Sequence, residues 1–497
     1  MNDKHIKRPT LILALIPIIV LIILLFTNIR IWQDNSISGP NQMALIFATF
    51  VAGIIGIVLN VKFKRMSKFM IKNISDSMSS ILILLMIGAL SGTWMLSGVV
   101  PTLIYYGMGI LNPKIFLVAT LIIASVVSLA TGSSWSTVAT VGVALLGIGT
   151  AQGFSPGLVA GALISGAYFG DKISPLSDTT NLAPAMAGTD IFTHIRYMLI
   201  TTTPTYIITL LIFLLIGFFH VSSDNASEVL ALQSSLKNTF NISPWLLLIP
   251  VILILLIVKK NPPLPALFFG ALMGGIAAII FQPDLIRTID NHVHTFFGAA
   301  YRIIIQSFFG ATSFDTGNAN LSRLISTSGM KGMMDTIWLI ITAMAFSGMM
   351  ESVGLLIRIA ESMVKLAKNT GSLVASVIFS SIFMNITASE QYISIVVPGR
   401  MYNKIFRRKG LRPELLSRSL EDGGTVTSVL VPWNTCGAIN STVLHVPTLS
   451  YLPYTFFNLI SPLMSIFVAS INYKIHRYTK EEMIVINEKD GNLWKKV

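Results

Sequence analysis

The sequence predicts an all-α polytopic membrane protein, with about 11–12 transmembrane segments in two inverted-topology repeats containing discontinuous helices. Three observations predict it: an apolar composition, basic charge confined to short loops, and similarity between the two halves of the chain. Of the 497 residues, 53% are hydrophobic and 11% charged, against about a quarter charged in soluble domains. The bilayer is therefore the solvent for most of this chain.

Apolar runs recur from end to end, over 11–26, 44–59, 116–130, 206–219, 246–258 and 456–469. Several reach or approach the roughly 20 residues a spanning helix needs. The first follows Lys4, Lys7 and Arg8 as a signal peptide would, yet no small-residue cleavage site comes after it and many more spans do, so it reads as the first transmembrane helix. Lys and Arg outnumber Asp and Glu by 35 to 22. This excess sits between apolar runs and on no soluble domain, which argues against a nucleic-acid partner and for orientation signals.

The basic clusters are Lys4 to Arg8, Lys62 to Lys72, Lys259 and Lys260, Arg358 with Lys365 and Lys368, 400–412, and Lys474 with Arg477. The positive-inside rule makes these cytoplasmic, with the loops 28–40, 147–155 and 220–243 outside and both termini inside. The single cysteine, Cys436, excludes an intramolecular disulfide and a cysteine metal cluster and reads as a packing thiol.

Segments recur along the chain. Leu15-Ile16-Pro17 returns as Leu248-Ile249-Pro250, and Ala52-Gly53 as Gly274-Gly275. Ala89-Leu90-Ser91-Gly92 then returns as Ala345-Phe346-Ser347-Gly348, Leu117-Val118-Ala119-Thr120 as Leu373-Val374-Ala375-Ser376, Thr131-Gly132-Ser133 as Thr387-Ala388-Ser389, and Asp178-Thr179 as Asn434-Thr435, all 256 positions apart. The first helix begins at a basic end whereas its counterpart finishes at Lys259 and Lys260, so the halves are expected to be inverted. The expected organisation is a first repeat over 1–220, an external linker over 221–242, a second repeat over 243–475 with a re-entrant or surface-lying insertion at 281–335, and a cytoplasmic tail over 476–497, frayed beyond Tyr473.

Ionisable side chains within a membrane cost about 2.5–3.5 kcal/mol on insertion scales, so each is a functional candidate. Asp171 lies about 15 residues past Pro156, on the order of 22 Å deep at a helical rise. The run Ser174-Pro175-Leu176-Ser177-Asp178-Thr179-Thr180-Asn181-Leu182-Ala183-Pro184 then packs hydroxyls, an amide and a carboxylate between prolines that free backbone carbonyls. Carboxylate, hydroxyl and carbonyl oxygens suit a partly dehydrated sodium ion, a hard cation. Irregular backbone at such depth must be buried in protein or line a cavity.

The repeat partner carries Asn434 and Thr435 but no acid, leaving Glu390, Asp422 and the hydroxyl of Thr387 to serve the second half, while Ser133 and Ser134 serve the first. Desolvation favours the protonated form of a carboxylate, so proton and sodium compete for one group. Asp171 and Asp178 are expected in that role, with Glu390 third. Glu351 reads either as a further site group or as a partner for a hydroxyl or for Arg358. Lys172 and Arg358 read as cytoplasmic ends, and His194 and Arg196 as a cytoplasmic helix start. Gly157, Gly161, Gly166 and Gly170 form a small-residue stripe that lets helices approach.

Written out, Gly170 to Ala183, with Gly92-Thr93-Trp94-Met95, Thr131-Gly132-Ser133-Ser134-Trp135 and Glu421-Asp422-Gly423-Gly424-Thr425, resembles the NhaC family of bacterial sodium/proton antiporters over nearly the whole chain. The resemblance implies a multi-pass secondary transporter of the bacterial cytoplasmic membrane that exchanges Na+ for H+, with no cofactor beyond these transported ions, and a homodimer. It leaves open the malate/lactate exchanger branch and related amino acid carriers. An enzyme is disfavoured, since HExxH, GxSxG and a His paired with a buried nucleophile are missing.

Overall fold

The computed structural model describes residues 7–32, 36, 38–110, 112–219, 226–259, 261–289, 295–317, 322, 325–364 and 369–484. Lys4, Lys260, Lys365 and Lys368 of the charge map lie outside them, as do parts of the linker, insertion and tail. The described residues are almost entirely helical, with two isolated bridges, Thr312 to Thr327 and Leu411 to Arg477. Among the described residues, nine helices are long and apolar enough to cross a membrane, or up to eleven if each of two bent pairs is one span. The interior helix Pro156–Ile173, 18 residues long, is not among them; apolarity marks helices that face lipid better than those that face protein.

The first half comprises α1 (Leu11–Trp32), α2 (Pro40–Val58), α3 (Phe63–Asp76), α4 (Met78–Leu96), α5 (Val99–Ile110), α6 (Pro113–Thr131), α7 (Ser134–Ala151), α8 (Pro156–Ile173), α9 (Asp178–Ala187) and α10 (Ile191–Phe219). The expected external linker holds a helix, α11 (Ala226–Thr239). The second half comprises α12 (Pro244–Val258), α13 (Pro263–Phe281), α14 (Pro283–Ile289), α15 (Phe296–Phe309), α16 (Gly329–Val353), α17 (Leu355–Val364), α18 (Thr370–Thr387), α19 (Gln391–Arg408), α20 (413–428), α21 (Thr435–Leu444), α22 (Thr448–Tyr454) and α23 (Phe456–Ser470).

From α5 onward the helix starts recur 256 residues later: Val99 with Leu355, Ser134 within one residue of Gln391, and Asp178 within one of Thr435. Packing is exchanged in the same sense, because α9 lies on α19 while α21 lies on the first turns of α7. Starts are fixed by side-chain oxygens that accept otherwise orphaned N–H groups. Asn112 accepts from Lys114 N at 3.0 Å before α6, and Asn369 accepts from Ser372 N at 2.7 Å before α18.

Close approach is set by glycines. In α8, a Cβ on Gly166 would stand 2.2 Å from Leu121 O and one on Gly170 2.4 Å from Ser125 O, both in α6. Gly157 and Gly161 instead meet the backbone of Ser450 and Tyr454 in α22. The small-residue stripe thus serves two partners on two faces. The insertion packs on α4 through α15 and the start of α16, and a Cβ on Gly92 would stand 1.8 Å from Ser307 O.

The tail departs from expectation. Over 476–484 it is docked and not frayed: Arg412 N donates to His476 O at 3.1 Å and Tyr478 N to Gly410 O at 2.9 Å, and Arg412 forks onto the carboxylate of Glu482 at 2.8 and 3.0 Å. A strand-like pairing on a basic loop was not legible from composition. The Thr479 backbone N–H donating to Glu482, reinforced by the Arg412 charge, holds that carboxyl below its usual range.

Two outcomes follow from this packing. Gly92→Ala should lower the thermal midpoint in detergent by the equivalent of about 1–3 kcal/mol, as overpacking does, whereas Gly109→Ala, whose Cβ would meet nothing nearer than 3.5 Å, should leave it unchanged. A depressed folded pKa means stabilisation is present above the unfolded carboxyl value of about 4.3 and lost as pH falls through the folded one. Hydrogen exchange at Thr479 and Glu482, corrected for intrinsic rate, should therefore lose protection below about pH 4, and Glu482→Gln should abolish that step.

Candidate functional site

Two helix breaks face each other in the protein interior. At the first, α6 ends on Gly132, whose φ of 69° is left-handed, and a Cβ there would also stand 2.6 Å from the backbone of Leu176. Only glycine satisfies both conditions. The chain then extends at Ser133, whose hydroxyl accepts from Ser136 N at 3.2 Å, and α7 begins with the backbone N–H of its first residue, Ser134, directed at Asp171. Ser134 donates to Asp171 Oδ2 from its backbone N at 3.1 Å and from its hydroxyl at 2.7 Å. A carboxylate at a helix N-terminus is favoured by the helix dipole, so Asp171 is held by α7 although it belongs to α8.

The turn between α8 and α9 is tied down by its own side chains. Thr180 Oγ1 donates to the carbonyls of Asp171 and Lys172 at 3.1 and 3.0 Å, at the end of α8. Ser174 Oγ donates to Leu129 O at 2.8 Å, and Asn181 Nδ2 donates to Pro175 O and Ser177 O at 3.0 and 2.7 Å. Ser177 caps α9, and its hydroxyl lies 3.1 Å from that of Thr179.

A cavity of about 450 Å3 opens over this break. Ser133, Ser134, Asp171, Asp178 and Thr179 line it, joined by Asp76 and Ser80 near the α3–α4 junction, Asn261, and Gln391 with Tyr392 at the start of α19. Of the sequence candidates, these five share one space. Ser174, Thr180 and Asn181 hold the backbone around it. Asp76, Gln391 and Tyr392 were missed; Gln391 and Tyr392 could have been found as the residues that follow the expected site group Glu390, while nothing in the sequence singles out Asp76.

The second break is closed. Ser389 takes the left-handed conformation, φ 58°, without being glycine. Glu390, 6% exposed, accepts from Tyr392 N and from Thr435 Oγ1 at 3.4 Å. Asn434 caps α21 and donates to the carbonyl of Asn385 at 3.2 Å, and Asn385 in turn donates to Gly424 O at 2.7 Å. Cys436 is fully buried, its thiol donating to Gln391 Oε1 at 2.6 Å. Thr387 bonds back to Phe383 O within its own helix. Glu390, Asn434 and Thr435 thus form a second polar group, while Thr387 stands apart from it.

Lys172 is not a cytoplasmic end. It is fully buried, and Nζ donates to Asp422 Oδ1 at 2.5 Å and to Ser461 Oγ at 3.0 Å. A lysine in the last turn reads from sequence as a helix C-terminal charge, but the depth argument applied to Asp171 applied equally to its neighbour. Asp422, expected at the ion site, spends one oxygen on this bond. Glu351 accepts from Asn73 Nδ2 at 3.0 Å, so its partner is an amide and neither a hydroxyl nor Arg358, which faces Glu361 at 3.6 Å. His194 does sit in the first turn of α10, though buried against Ser417 Oγ at 2.7 Å. No three His, Cys, Asp or Glu among the described residues are grouped to hold a resident metal; the donors gathered here are mainly hydroxyl and carboxylate oxygens.

Known proteins resemble this chain over nearly its whole length. The model of the Na+/H+ antiporter family matches residues 166–471, which includes Asp171, the α8–α9 turn and the second break. The malate-2H+/Na+-lactate antiporter of Bacillus subtilis is 36% identical over 97% of this chain and 98% of its own. The Na+/H+ antiporter NhaC of Alkalihalophilus pseudofirmus is 37% identical over 86% and 89%, and the arginine/ornithine antiporter ArcD of Halobacterium salinarum 31% over 96% and 95%.

The buried ion pair can be tested by a double-mutant cycle. Lys172→Met or Asp422→Leu alone should destabilise the protein by about 3–5 kcal/mol by leaving one charge unpaired, and Lys172→Met with Asp422→Leu should recover most of that loss; thermal melts of the three variants read the difference.

Proposed function

The chain belongs to the Na+/H+ antiporter family, and on that premise we propose that it exchanges cytoplasmic Na+ for external H+ by alternating access. It is a membrane transporter and not an enzyme. The observation that carries the proposal is the cavity over the first break, where two carboxylates, Asp171 and Asp178, meet hydroxyls at the ends of interrupted helices. Sodium entering there would lose part of its water and gain carboxylate and hydroxyl oxygens, and a proton on the same carboxylates would exclude it.

Competition for one group is sufficient to couple the two ions. The binding group needs access to one side at a time, and the closed second break supports this. Glu390, Asn434 and Thr435 do not line the cavity over the first break, and inversion of the two halves would let their roles exchange. The recurring helix starts, the exchanged packing and the basic charge map support that inversion. The cavity adjoins Asn261 and the end of α12 at Lys259, so the charge map makes it cytoplasmic, with both termini on the same side. A homodimer in the bacterial cytoplasmic membrane rests on the family resemblance.

A second reading, a Na+/H+-coupled exchanger of organic acids, is favoured by one observation: the malate-2H+/Na+-lactate antiporter aligns with 97% of the chain. The two separate in everted vesicles from a host lacking antiporters, loaded with a pH-sensitive dye and given Na+, K+, malate or lactate. Na+ alone should dissipate the proton gradient in wild type. Asp178→Asn should reduce that response at least about tenfold, the loss expected when a group essential to transport-state binding is removed. A response that requires malate or lactate as well would replace the antiporter with the exchanger.

A further inference from the structure

The exchange just described leaves unused the most highly charged buried group in the protein. Lys172, Arg418, Glu421 and Asp422 are each 0% exposed, and the last two lie on a π-helical turn, Glu421–Thr425, inside α20. Such turns widen a helix locally and are often found at functional sites. Asp171 and Lys172, though adjacent, serve different places: Asp171 faces the cavity, while Lys172 reaches across to Asp422 and Ser461. None of the residues of α20 lines the cavity.

We propose that Glu421 and Thr425 form a second, enclosed site for a monovalent metal cation of the sodium class, behind α8 and separate from the cavity. By distance and angle neither carboxylate oxygen of Glu421 makes a hydrogen bond, nor does Asp422 Oδ2, and the hydroxyl of Thr425, one turn along and itself without such a bond, lies close enough to interact with Glu421. A buried ionised carboxylate without partners is strongly disfavoured unless a proton or a metal cation meets it.

The neighbouring cations do not fill that role. Lys172 is committed to Asp422 and Ser461, and Arg418 lies over the ring of Tyr197 at 4.7 Å with none of its guanidinium nitrogens hydrogen-bonded. The donors left over are all oxygens, the ligand set of a hard cation. Ser381 and Asn458 flank the turn with further unpartnered oxygens. The Ser381 Cβ stands 3.0 Å from the Cβ position of Gly423, and Asn458 Nδ2 donates to Val426 O at 2.8 Å.

The valence follows from the antiport reading, in which Na+ is the metal ion that this protein handles and oxygen ligands suit it.

The site rests on the antiport reading, and one titration separates the two. Purified full-length protein is equilibrated with radiolabelled sodium, and bound sodium is counted per chain for wild type, Glu421→Gln, Thr425→Val and Asp178→Asn, each verified as folded by gel filtration. Wild type should hold about two sodium ions and each variant about one, with Glu421→Gln plus Asp178→Asn holding none. A single sodium in wild type that survives Glu421→Gln and Thr425→Val but is lost in Asp178→Asn overturns the second site and leaves the antiporter intact. No sodium bound by wild type removes the antiporter reading itself.

Discussion

The architecture depends on how two interrupted helices dispose of the backbone groups their interruptions release. In hydrocarbon each free N–H or C=O costs several kcal/mol unless protein answers it, and both breaks recruit short polar side chains to do so. Thr180 answers two carbonyls at the end of α8, Ser174 answers one from α6, and Asp171 answers the first N–H of α7. In the second half Asn385 and Asn434 replace the threonine, spanning from α18 to α20 and α21. The residues that could bind a cation are therefore also those that permit irregular backbone at that depth, and the choice of serine, threonine and asparagine answers both requirements.

Much of this was legible because it obeys strong local rules. Apolar runs gave spans, prolines between hydroxyls marked the α8–α9 turn, and glycines four or five apart marked close helix contacts. Ser133, Ser134, Asp171, Asp178 and Thr179 were gathered from three segments by the expectation that polar groups in a membrane seek each other. What failed depended on tertiary distance. Lys172 reads as a cap until its partner 250 residues away is known, and Asp76 becomes a lining residue only because α3 packs on α16. The docked tail was missed for the same reason: its pairing partner is the loop after α19, and charged residues near a chain end look alike whether paired or free.

The two breaks differ in ways their shared ancestry of pattern does not predict. Gly132 supplies the left-handed residue at one, and Ser389 at the other, where an L side chain in that region costs roughly 1–2 kcal/mol. The second break carries that cost in an arrangement where Glu390, Asn434, Thr435 and Asn385 bond to one another although the hydroxyl of Ser389 has no partner, while the first leaves its carboxylates facing an open space. Similar sequence patterns have thus been resolved into one accessible and one sealed environment within a single conformation.

The sealed break also contains Cys436, the chain's one cysteine, with its sulfur buried against Gln391. Because Gln391 lines the open cavity while Cys436 does not, the thiol sits one side chain behind the solvent boundary. A maleimide that modifies the unaltered protein must first have displaced Gln391 or entered through the second half. The chain therefore carries a built-in chemical clock for movement at that boundary, readable as a mass increment without introducing a label site or removing competing thiols.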